Sequence, residues 1–409
     1  MLQLFKKTIF ASRMKTIEDF NFNGKKVCVR VDFNVPFDAD YNITDDNRIR
    51  KAIPTIQKIM ADGGAVILMS HLGRPKGKPS EKYSLKHILK HLSQLLKKPV
   101  KFADDAISIE TKKMADTLQA GEILLLENLR FYEQEMQGDI DFAAKLASLG
   151  DFYVNDAFGA AHRAHASTAI MAKFFDNQKC FGYLMESELA NAQKILLNPI
   201  HPMTAIIGGA KVSDKILIID HLLDFADNII IGGGMAYTFI KALGGSIGNS
   251  LCEDERLELT LEILAKAAKK GVKILLPKDS IIADKYSADA NTLLSDSNNI
   301  PPNWMGLDIG PVAQKDCANL LAESKTILWN GPMGVFEMKS FAQGTKAVAD
   351  AVVSATEKGS FSLIGGGDSA AAIAKFNYTN RVSYVSTGGG ALLKYFEGKT
   401  LPGVAAITG

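Results

Sequence analysis

The sequence predicts an α/β protein built from two doubly wound, Rossmann-like domains, each with a parallel sheet covered by helices on both faces. Short apolar runs rich in β-branched residues alternate with segments that carry apolar residues at three- and four-residue spacing. This alternation is typical of strands followed by amphipathic helices. Six such strands lie on each side of a helix-forming segment near the middle of the chain. We therefore expect two domains separated by a cleft and joined by a helix.

The predicted strands are short, nearly continuous apolar runs, as expected for parallel strands buried on both faces. In the first domain they cover residues 26–31, 65–70, 100–102, 123–126, 152–155 and 180–183. In the second they cover residues 204–207, 228–231, 272–276, 326–329, 361–364 and 382–386. Amphipathic helices are predicted over residues 48–61, 83–96 and 254–270.

The domain boundaries are predicted from the limits of the two strand sets. Residues 1–183 form the N-terminal domain, 184–198 the connecting helix, and the C-terminal domain begins at residue 199. Residues 1–13 are basic, lack acidic side chains and have an apolar stretch too broken for a signal peptide. They are either a weak transit peptide or an over-extended start with Met14 as the real initiator, and we favour the second interpretation.

Charge and cysteine content exclude several classes of function. Forty-seven basic and 45 acidic residues leave a net charge of +2, which argues against a general nucleic-acid or anionic-membrane surface. The four cysteines are far apart and form no C-x-x-C pair, so we expect neither a zinc site nor a disulfide framework, and a cytoplasmic location. No apolar run approaches the roughly 18 residues needed to span a bilayer.

Arginine and glycine are distributed unevenly along the chain. Seven of the nine arginines lie at or before Arg163, whereas 24 of the 34 glycines lie after residue 200. Guanidinium groups recognise anions through side chains, whereas glycine lets the backbone itself approach a ligand. The asymmetry predicts one anion site of each kind.

Four glycine clusters follow predicted strands of the second half, at residues 208–209, 232–234, 365–367 and 388–390. Helices that begin after such turns present free N–H groups to phosphate. Lys211 and Lys215 are four residues apart and are expected on one helix face beside a polyanion, with a solvated lysine face as the alternative. Asp368 is either a Mg²⁺ ligand or a helix N-cap, and Glu337 either binds ribose or stabilises a helix start.

Common nucleotide motifs do not account for these clusters. The P-loop pattern is absent, and the triad at 365–367 matches the dinucleotide pattern but has no acidic residue about 20 positions later. The protein-kinase signatures also fail, because residues 156–159 read DAFG and residues 162–164 read HRA. Phosphate bound together with a metal is favoured over a nicotinamide cofactor.

The first half places arginine, histidine and short polar side chains after its predicted strands. Asp32, Asn34 and Arg48 follow the first strand, and His71 with Arg74 follows the second. Arg130 follows the fourth strand and Arg163 the fifth. Unrelated surface ion pairs are the alternative, but four converging arginines favour a pocket for an anionic substrate. No H-E-x-x-H or G-x-S-x-G motif is present, so phosphoryl transfer between two bound ligands is the favoured function.

Seven motifs then resemble one family, phosphoglycerate kinase, from about Lys15 to the C-terminus. They are RVDFNVP at 30–36, SHLGRP at 70–75, LENLRF at 126–131, GGAKVSDK at 208–215, WNGP at 329–332, GGGD at 365–368 and STGGG at 386–390. The resemblance implies a monomer with hinge-bending domains, 3-phosphoglycerate on the first domain and Mg-nucleotide on the second. It implies reversible phosphoryl transfer from ATP to the carboxylate of 3-phosphoglycerate, which runs toward ATP in glycolysis. It also implies that the C-terminal domain covers residues 199–394 and that residues 395–409 are a tail that packs on the N-terminal domain.

The resemblance also implies the roles of individual residues. Ser369 is expected to cap a phosphate-facing helix, Asp368 to handle the magnesium complex, and no nucleic acid or membrane to be a partner. Expected substrate-binding residues are Asp32, Phe33, Asn34, Arg48, His71, Leu72, Gly73, Arg74, Arg130 and Arg163. Expected nucleotide-binding residues are Gly209, Lys211, Lys215, Gly233, Gly306, Asn330, Gly331, Glu337, Gly366, Gly367, Asp368 and Ser369. Expected catalytic residues are Arg48, Lys211, Gly366 and Gly389.

The sequence departs from the family at a few positions near the last glycine cluster. Tyr384 replaces a frequent histidine, Leu392 a frequent serine and Lys394 a frequent glutamate, and Ser369 stands for a frequent threonine. Two alternatives from other classes stay open: a nicotinamide-dependent dehydrogenase and a non-catalytic phosphometabolite-binding protein. A carboxylate nucleophile is ionised at neutral pH and needs no general base, so the lack of a base motif fits the kinase.

Overall fold

A computed structural model describes residues 15–409, so the predicted extension 1–13 and Met14 lie outside the described residues. The chain divides into two compact units. The first runs to Ala190 and also includes Lys399–Gly409, and the second is Asn191–Gly398. The boundary between the units falls inside a helix.

The first unit is built on a six-stranded sheet in the order β3-β4-β2-β1-β5-β6, and all its pairings are parallel. Val27 in the interior strand β1 is paired with Val66 on one side and Phe152 on the other. The strands are β1 (Lys26–Val31), β2 (Ala65–Met69), β3 (Val100–Ala103), β4 (Ile123–Leu126), β5 (Phe152–Asp156) and β6 (Lys179–Phe181).

Helices follow these strands as the apolar spacing predicts. They are α1 (Asn47–Ala61), α2 (Leu89–Leu96), α3 (Ile109–Asp116), α4 (Glu133–Gln137), α5 (Ile140–Ala147) and α6 (Tyr183–Leu196). Ile49, Ile56 and Ile59 of α1 are fully buried against the sheet. The predicted helix over 83–96 is shorter, because short 3₁₀ turns occupy Glu81–Tyr83 and Leu85–Ile88.

The second unit repeats the architecture with a parallel six-stranded sheet in the order β10-β8-β7-β15-β16-β17. Its strands are β7 (Met203–Ile207), β8 (Asn228–Ile231), β10 (Lys273–Leu275), β15 (Thr326–Asn330), β16 (Phe361–Gly365) and β17 (Tyr384–Val385). Its helices are α7 (Ile216–Leu222), α8 (Met235–Ala242), α9 (Leu257–Lys270), α10 (Pro311–Glu323), α11 (Gln343–Glu357), α12 (Gly367–Lys375) and α13 (Gly390–Phe396).

Two smaller sheets were not predicted. An antiparallel sheet joins β11 (Asp279–Ala283), β12 (Thr292–Asp296) and β14 (Met305–Ile309), and β9 (Ser246–Ile247) pairs with β13 (Asn299–Ile300). Leu293 and Leu294 of β12 are both more than half exposed, so this strand has no alternation of buried and exposed positions. The signal on which strand prediction depends is therefore missing here.

The twelve predicted strands all form, and the predicted fold class of two doubly wound parallel sheets is confirmed. The connecting helix begins at Tyr183, where the sequence analysis had extended β6, because Asp156 Oδ1 accepts hydrogen bonds from the N–H groups of Leu184 and Met185. A last helix, α14 (Pro402–Thr408), belongs to the first unit. No helix among residues 15–409 is long and apolar enough to cross a membrane.

Candidate active site

Asp32 and Arg48 form an ion pair at the carboxyl end of β1. Arg48 Nη1 lies 2.8 Å from Asp32 Oδ2, while Asp32 Oδ1 accepts a hydrogen bond of 3.2 Å from the Asn34 N–H. The Asp32 side chain is 7% exposed, but that of Arg48 keeps 35% of its surface. The pair therefore orients the guanidinium and leaves part of it open to a ligand.

The loop after β2 is held between side chains from two other loops. Asn34 Oδ1 accepts a hydrogen bond of 2.8 Å from the Gly73 N–H, and Arg130 Nη1 donates one of 2.8 Å to the Gly73 carbonyl. Gly73 has a φ of 59°, and a Cβ there would lie 2.3 Å from the Tyr83 ring. Only glycine fits this turn, which joins the loops after β1, β2 and β4 into one structure.

Asn128 fixes the backbone of the same region. Its Oδ1 accepts hydrogen bonds from the N–H groups of Leu72 and Arg130, and its Nδ2 donates to the carbonyls of Leu72 and Tyr83. The Leu72 side chain is 3% exposed, and that of Phe33 is fully buried. The side chains of these two predicted substrate-binding residues are therefore part of the core of the first unit.

Two arginines of the first unit, Arg130 and Arg163, lie close to other positive charges. Burial and the positive charges of Arg163 and Arg30 lower the pKa of Arg130 to about 10. Burial, then Arg74, lowers the pKa of Arg163 as well. A bound anion would relieve both effects, since it supplies the missing opposite charge.

His71 is buried within this cationic region. Burial holds its pKa well below the ordinary value, and the charges of four arginines add to the effect: Arg30, Arg130, Arg48 and Arg163. The imidazole is therefore neutral at physiological pH. It can donate one hydrogen bond to an anion without becoming an imidazolium.

Two cavities open onto the arginine loops. One, of about 500 Å³, brings together three predicted arginines and is lined by Arg74, Lys76, Arg130, Glu133, Met136, Gln137 and Arg163. The other, of about 570 Å³, is lined by Asn34, Val35, Phe37, Asp38, Ala39, Tyr41, Leu72, Gly73, Lys82 and Tyr83. Asp32, Arg48 and His71 line neither cavity.

The second unit has its own cavity, of about 460 Å³, at the carboxyl ends of β7 and β8. Five predicted nucleotide-binding residues line it: Gly209, Gly233, Gly306, Glu337 and Asp368. Much of the remaining wall is apolar and includes Leu251, Pro277, Met305, Leu307 and Val335. An apolar slot with carboxylates and bare backbone along its wall suits an aromatic base attached to a sugar and phosphates.

The glycines of the second unit fall into two groups. A Cβ on Gly331 would lie 2.1 Å from the Gly208 carbonyl oxygen, and one on Gly233 would lie 2.5 Å from that of Gly209. These glycines let backbone segments pack on each other. A Cβ on Gly367, Gly389 or Gly390 would meet no atom within 4 Å, so the backbone of this second group is open to a ligand.

Lys215 and Asn330 form a polar pair outside the lining of that cavity. Lys215 Nζ donates a hydrogen bond of 2.5 Å to Asn330 Oδ1, and Asn330 Nδ2 donates one of 2.8 Å to the Gly365 carbonyl. Burial lowers the pKa of Lys215, although the carboxylates of Asp214 and Asp368 oppose this. A half-buried ammonium whose near side-chain partner is a neutral amide is a natural contact for phosphate.

A family model for phosphoglycerate kinase matches residues 17–399 of this chain. The match spans both units and every loop described above. The chain belongs to the phosphoglycerate kinase family. Its reaction is the reversible transfer of a phosphoryl group between ATP and the carboxylate of 3-phosphoglycerate, and the dehydrogenase and non-catalytic alternatives are not favoured.

Individual relatives agree with this assignment over their whole length. Phosphoglycerate kinase from Porphyromonas gingivalis is 54% identical and covers 96% of this chain and all of the relative. Phosphoglycerate kinase from Chloroherpeton thalassium is 52% identical, and the alignment covers 97% of this chain and 99% of that relative. The structure of the Coxiella burnetii enzyme superposes with a TM-score of 0.88 at 42% identity, over 97% of this chain and 99% of the other. The crystal structure of the Pyrococcus horikoshii enzyme superposes with a TM-score of 0.82 at 31% identity, over 96% of this chain and 98% of the other.

The expectation that Lys211 and Lys215 share one helix face is wrong. Helix α7 begins at Ile216, Lys215 is its N-cap residue, and Lys211 is an exposed residue of the preceding loop. The cause is a turn in which the N–H groups of Lys215 and Ile216 both bond to the Val212 carbonyl. Glu253 holds this turn, because its carboxylate accepts from the Ser213 N–H and hydroxyl. Lys211 therefore lies in a loop, whereas Lys215 lies at the start of a helix.

The expected cap at Ser369 is also wrong. The N-cap of α12 is Gly366, whose φ of 90° suits glycine alone. The buried Ser369 hydroxyl instead accepts a hydrogen bond of 2.6 Å from the Gly331 N–H. Asp368 lies in the first helical turn and is exposed, so its alternative interpretation as an N-cap is excluded.

Two residues that were not predicted from the sequence, Asp308 and Thr345, hold the backbone around the cavity of the second unit. Asp308 Oδ2 accepts a hydrogen bond of 2.7 Å from the Gly344 N–H, and Thr345 Oγ1 accepts from the N–H groups of Met333 and Gly334. Burial raises the pKa of Asp308 to about 7. The available signal was the run at 305–309 followed by Gly310-Pro311, since proline favours the first position of a helix.

Three acidic residues line this cavity, Asp308, Glu337 and Asp368. Among residues 15–409, no group of three or more His, Cys, Asp or Glu side chains is arranged to hold an ion. Asp368 contributes an exposed carboxylate to the cavity wall. A single carboxylate fits Mg²⁺ that is bound mainly through nucleotide phosphates and water.

Proposed function

We propose that 3-phosphoglycerate binds to the arginine loops of the first unit and that Mg-nucleotide binds to the glycine-rich cavity of the second. The observation that carries this proposal is the set of arginines in the first unit that lack matching acids. Asp32 pairs with Arg48, but burial and like charge depress the pKa values of Arg130 and Arg163. A ligand with both phosphate and carboxylate groups supplies the required negative charge.

The transferring phosphoryl group requires positive charge and fixed geometry rather than a general base. The nucleophile is a carboxylate, which is already ionised at pH 7. Arg48 is oriented by Asp32 and remains partly exposed, so we assign it to the developing charge on the phosphoglycerate side. Lys211 is exposed beside Gly209 and Ala210, and we assign it to the same charge on the nucleotide side.

The open backbone of the second glycine group serves the phosphates in this proposal. Gly367 lies at the start of α12, and Gly389 precedes α13, where N–H groups lack partners inside the helix. Gly366, the N-cap of α12, is also assigned to the phosphates but lies outside the open group, because a Cβ there would be 2.6 Å from Asn330 Nδ2. Glu337 is assigned to the ribose and Gly306 to the wall beside the base. Asp368 would hold Mg²⁺, which would neutralise charge on the phosphate oxygens when bound.

The remaining features of the proposal follow from the family resemblance. We propose a cytoplasmic monomer whose units close by hinge bending during turnover, with no nucleic-acid or membrane partner. We keep the domain limits proposed from the sequence, with a C-terminal domain over 199–394 and a tail over 395–409. The connecting helix is Tyr183–Leu196 in place of the predicted 184–198. Closure would exclude water, which competes with the carboxylate for the phosphoryl group.

Substitution of Lys211 by alanine tests the catalytic assignment. We expect kcat to fall by about 100-fold or more, while the KM for ATP changes by less than about fivefold, because the charge is needed mainly in the transition state. Lys266→Ala is a matched control, since Lys266 is paired with Asp220 on the exterior of the same unit. Steady-state kinetics with both substrates varied would reject the assignment if only the KM for ATP rose.

A further inference from the structure

A chain of buried hydrogen bonds leads to His71 through residues that the proposed function does not use. Arg30 in β1 is fully buried, its Nε donates a hydrogen bond of 2.8 Å to Ser167 Oγ, and its Nη2 lies 3.2 Å from His71 Nδ1. Ser167 Oγ lies 2.5 Å from Glu135 Oε1, and the Ser167 N–H lies 2.9 Å from Oε2. One continuous chain of hydrogen bonds thus links Glu135, Ser167, Arg30 and His71.

The chemistry of the groups fixes the direction of each bond. A guanidinium has only donors, so Arg30 donates both to Ser167 Oγ and to His71 Nδ1. The serine hydroxyl, having accepted from Arg30, directs its own proton to Glu135, because an ionised carboxylate only accepts. His71 Nδ1 therefore carries a lone pair, and the proton of the neutral ring is on Nε2.

No other described side chain competes for His71 Nδ1 at hydrogen-bond distance. Asp32 Oδ1 lies 4.0 Å from this nitrogen, which is too far for a hydrogen bond. Glu135 is also 3.9 Å from Nδ1 of His165, but Ser167 contacts both of its oxygens at shorter range. Arg30 and Glu135 are both fully buried, and the Ser167 hydroxyl is hydrogen-bonded to both side chains. The opposite charges of the two buried groups therefore offset each other.

We infer that Glu135, Ser167 and Arg30 are positioning residues that hold His71 as a neutral imidazole with its proton on Nε2, ready to donate to phosphoglycerate. This inference rests on the proposed placement of that substrate at His71. None of the three needs to touch the substrate. The opposite tautomer would present a lone pair to an anion, which would repel it.

Ring-nitrogen NMR on the wild-type protein tests the tautomer directly. Two-dimensional ¹H–¹⁵N spectra, assigned with a His71→Gln variant, should show protonated Nε2 and unprotonated Nδ1 from about pH 5 to pH 8. The charged groups that face His71 are Arg30, Asp32, Arg48, Arg130 and Arg163. An Nδ1–H tautomer, or an imidazolium within this range, would overturn the inference.

Titration with 3-phosphoglycerate in the same experiment separates the inference from the proposed function. The inference predicts a shift of the Nε2 resonance while Nδ1 stays unprotonated. If the tautomer is as expected but neither nitrogen responds to saturating substrate, the placement of the substrate at His71 is wrong and the donor role is lost with it. If the substrate shifts a ring that carries its proton on Nδ1, the placement stands and the inference fails.

Variants of the chain test its causal role. Arg30→Met should allow His71 to exchange between tautomers and should raise the KM for 3-phosphoglycerate about tenfold or more, with a smaller effect on kcat. Arg30→Lys should restore part of the Nε2–H signal. Tyr153→Phe is a matched control, because the buried Tyr153 hydroxyl donates to the Ser167 and Thr168 carbonyls but not to His71.

Folding of the variants is checked by far-UV circular dichroism. A folded Arg30→Met protein with a wild-type His71 spectrum and a wild-type KM would overturn the inference. If that variant does not fold, Ser167→Ala is used in the same measurements, since it removes the link between Arg30 and Glu135 and keeps the packing volume nearly constant. The wild-type spectrum remains decisive in either case.

Discussion

Two arginines of α1 differ in setting although they are only two residues apart. Arg48 pairs with the buried Asp32 at the sheet edge, whereas Arg50 pairs with Asp46 at i,i+4 on the outer surface. The exposed pair contributes little to stability because water screens it. In the proposed function, Arg48 is therefore the arginine of this pair that is assigned to the anionic substrate.

Substitution of each arginine by methionine tests this difference. Arg48→Met should lower kcat/KM for 3-phosphoglycerate by about 100- to 1000-fold, the loss typical of one donor to a developing charge. Arg50→Met should stay within about twofold of the wild-type value, since its charge is solvated. Initial-rate kinetics at saturating MgATP give both numbers, and equal losses in the two variants would contradict the account.

Asp156 is a buried carboxyl whose protonation affects stability. Burial raises its pKa to about 6 from an ordinary value of 3.8. The folded protein therefore binds more protons than the unfolded chain between these values, and the contribution of this group is lost as pH rises from about 4 to about 6. The effect on the free energy of unfolding is on the order of 2 kcal/mol.

Asp156→Asn should remove this pH dependence. Relative to wild type, the variant should gain about 2 kcal/mol in the free energy of unfolding between about pH 4.5 and pH 7. Urea unfolding followed by far-UV circular dichroism measures the difference at each pH, with Asp151→Asn as control because Asp151 is exposed at the start of the same strand. A constant offset between the two proteins across this range would show that Asp156 does not titrate there.

At the residue scale, the sequence predicted which polar side chains lie together when those side chains directly follow parallel strands of one sheet. Asp32, Asn34, Gly73, Arg48 and Arg130 were expected at one sheet edge, and the structure links them by hydrogen bonds. The prediction failed where a local turn decides the backbone. The turn before α7 separates the lysines, and the positive φ of Gly366 moves the cap of α12 away from Ser369.

At the scale of elements, the parallel strands were predictable and the antiparallel ones were not. Strands such as Ile123–Leu126 and Asn228–Ile231 are continuous apolar runs with the predicted limits. In contrast, Thr292–Asp296 is exposed at four of its five positions, and its backbone pairs with β11. Such a strand depends on tertiary pairing, which no local pattern reports.

The final helix is an element whose role is tertiary. The N–H of Gly403 donates to the Ala161 carbonyl, and Asn155 Nδ2 donates to the Gly403 carbonyl. Leu401 and Val404 are 1% and 2% exposed. Helix α14 therefore completes the core of the first unit from the opposite end of the sequence.

Leu401→Ala should destabilise the first unit by about 2–4 kcal/mol, because it removes buried methyl groups and leaves a cavity. Thr408→Ala in the same helix should change the free energy of unfolding by less than about 0.5 kcal/mol. Urea titrations monitored by far-UV circular dichroism compare the two variants with wild type. Equal stability of Leu401→Ala and wild type would show that the tail contributes no packing energy.

At the scale of the whole molecule, the proposed function gives each unit a different means of binding an anion. Four arginines that the structure describes in the first unit are assigned to substrate: Arg48, Arg74, Arg130 and Arg163. Arg30 is not assigned to the substrate, and its Nη2 lies 3.2 Å from His71 Nδ1. Arg50 is on the outer surface, where it pairs with Asp46. In the second unit, some glycines serve close backbone packing and others leave backbone open. Under the proposed function, the arginine-rich first half and the glycine-rich second half recognise phosphate by side chains and by backbone, respectively.

One assay tests the central claim that this chain transfers phosphoryl from ATP to 3-phosphoglycerate. Purified protein is supplied with MgATP and 3-phosphoglycerate, and ADP is measured by a coupled reaction, with omission of each component and with the Arg48→Met variant in parallel. We expect ADP to form only when ATP, Mg²⁺ and 3-phosphoglycerate are all present, and the Arg48→Met rate to fall by about 100-fold or more. No ADP at saturating substrates, or ADP that forms equally well without 3-phosphoglycerate, would contradict the account.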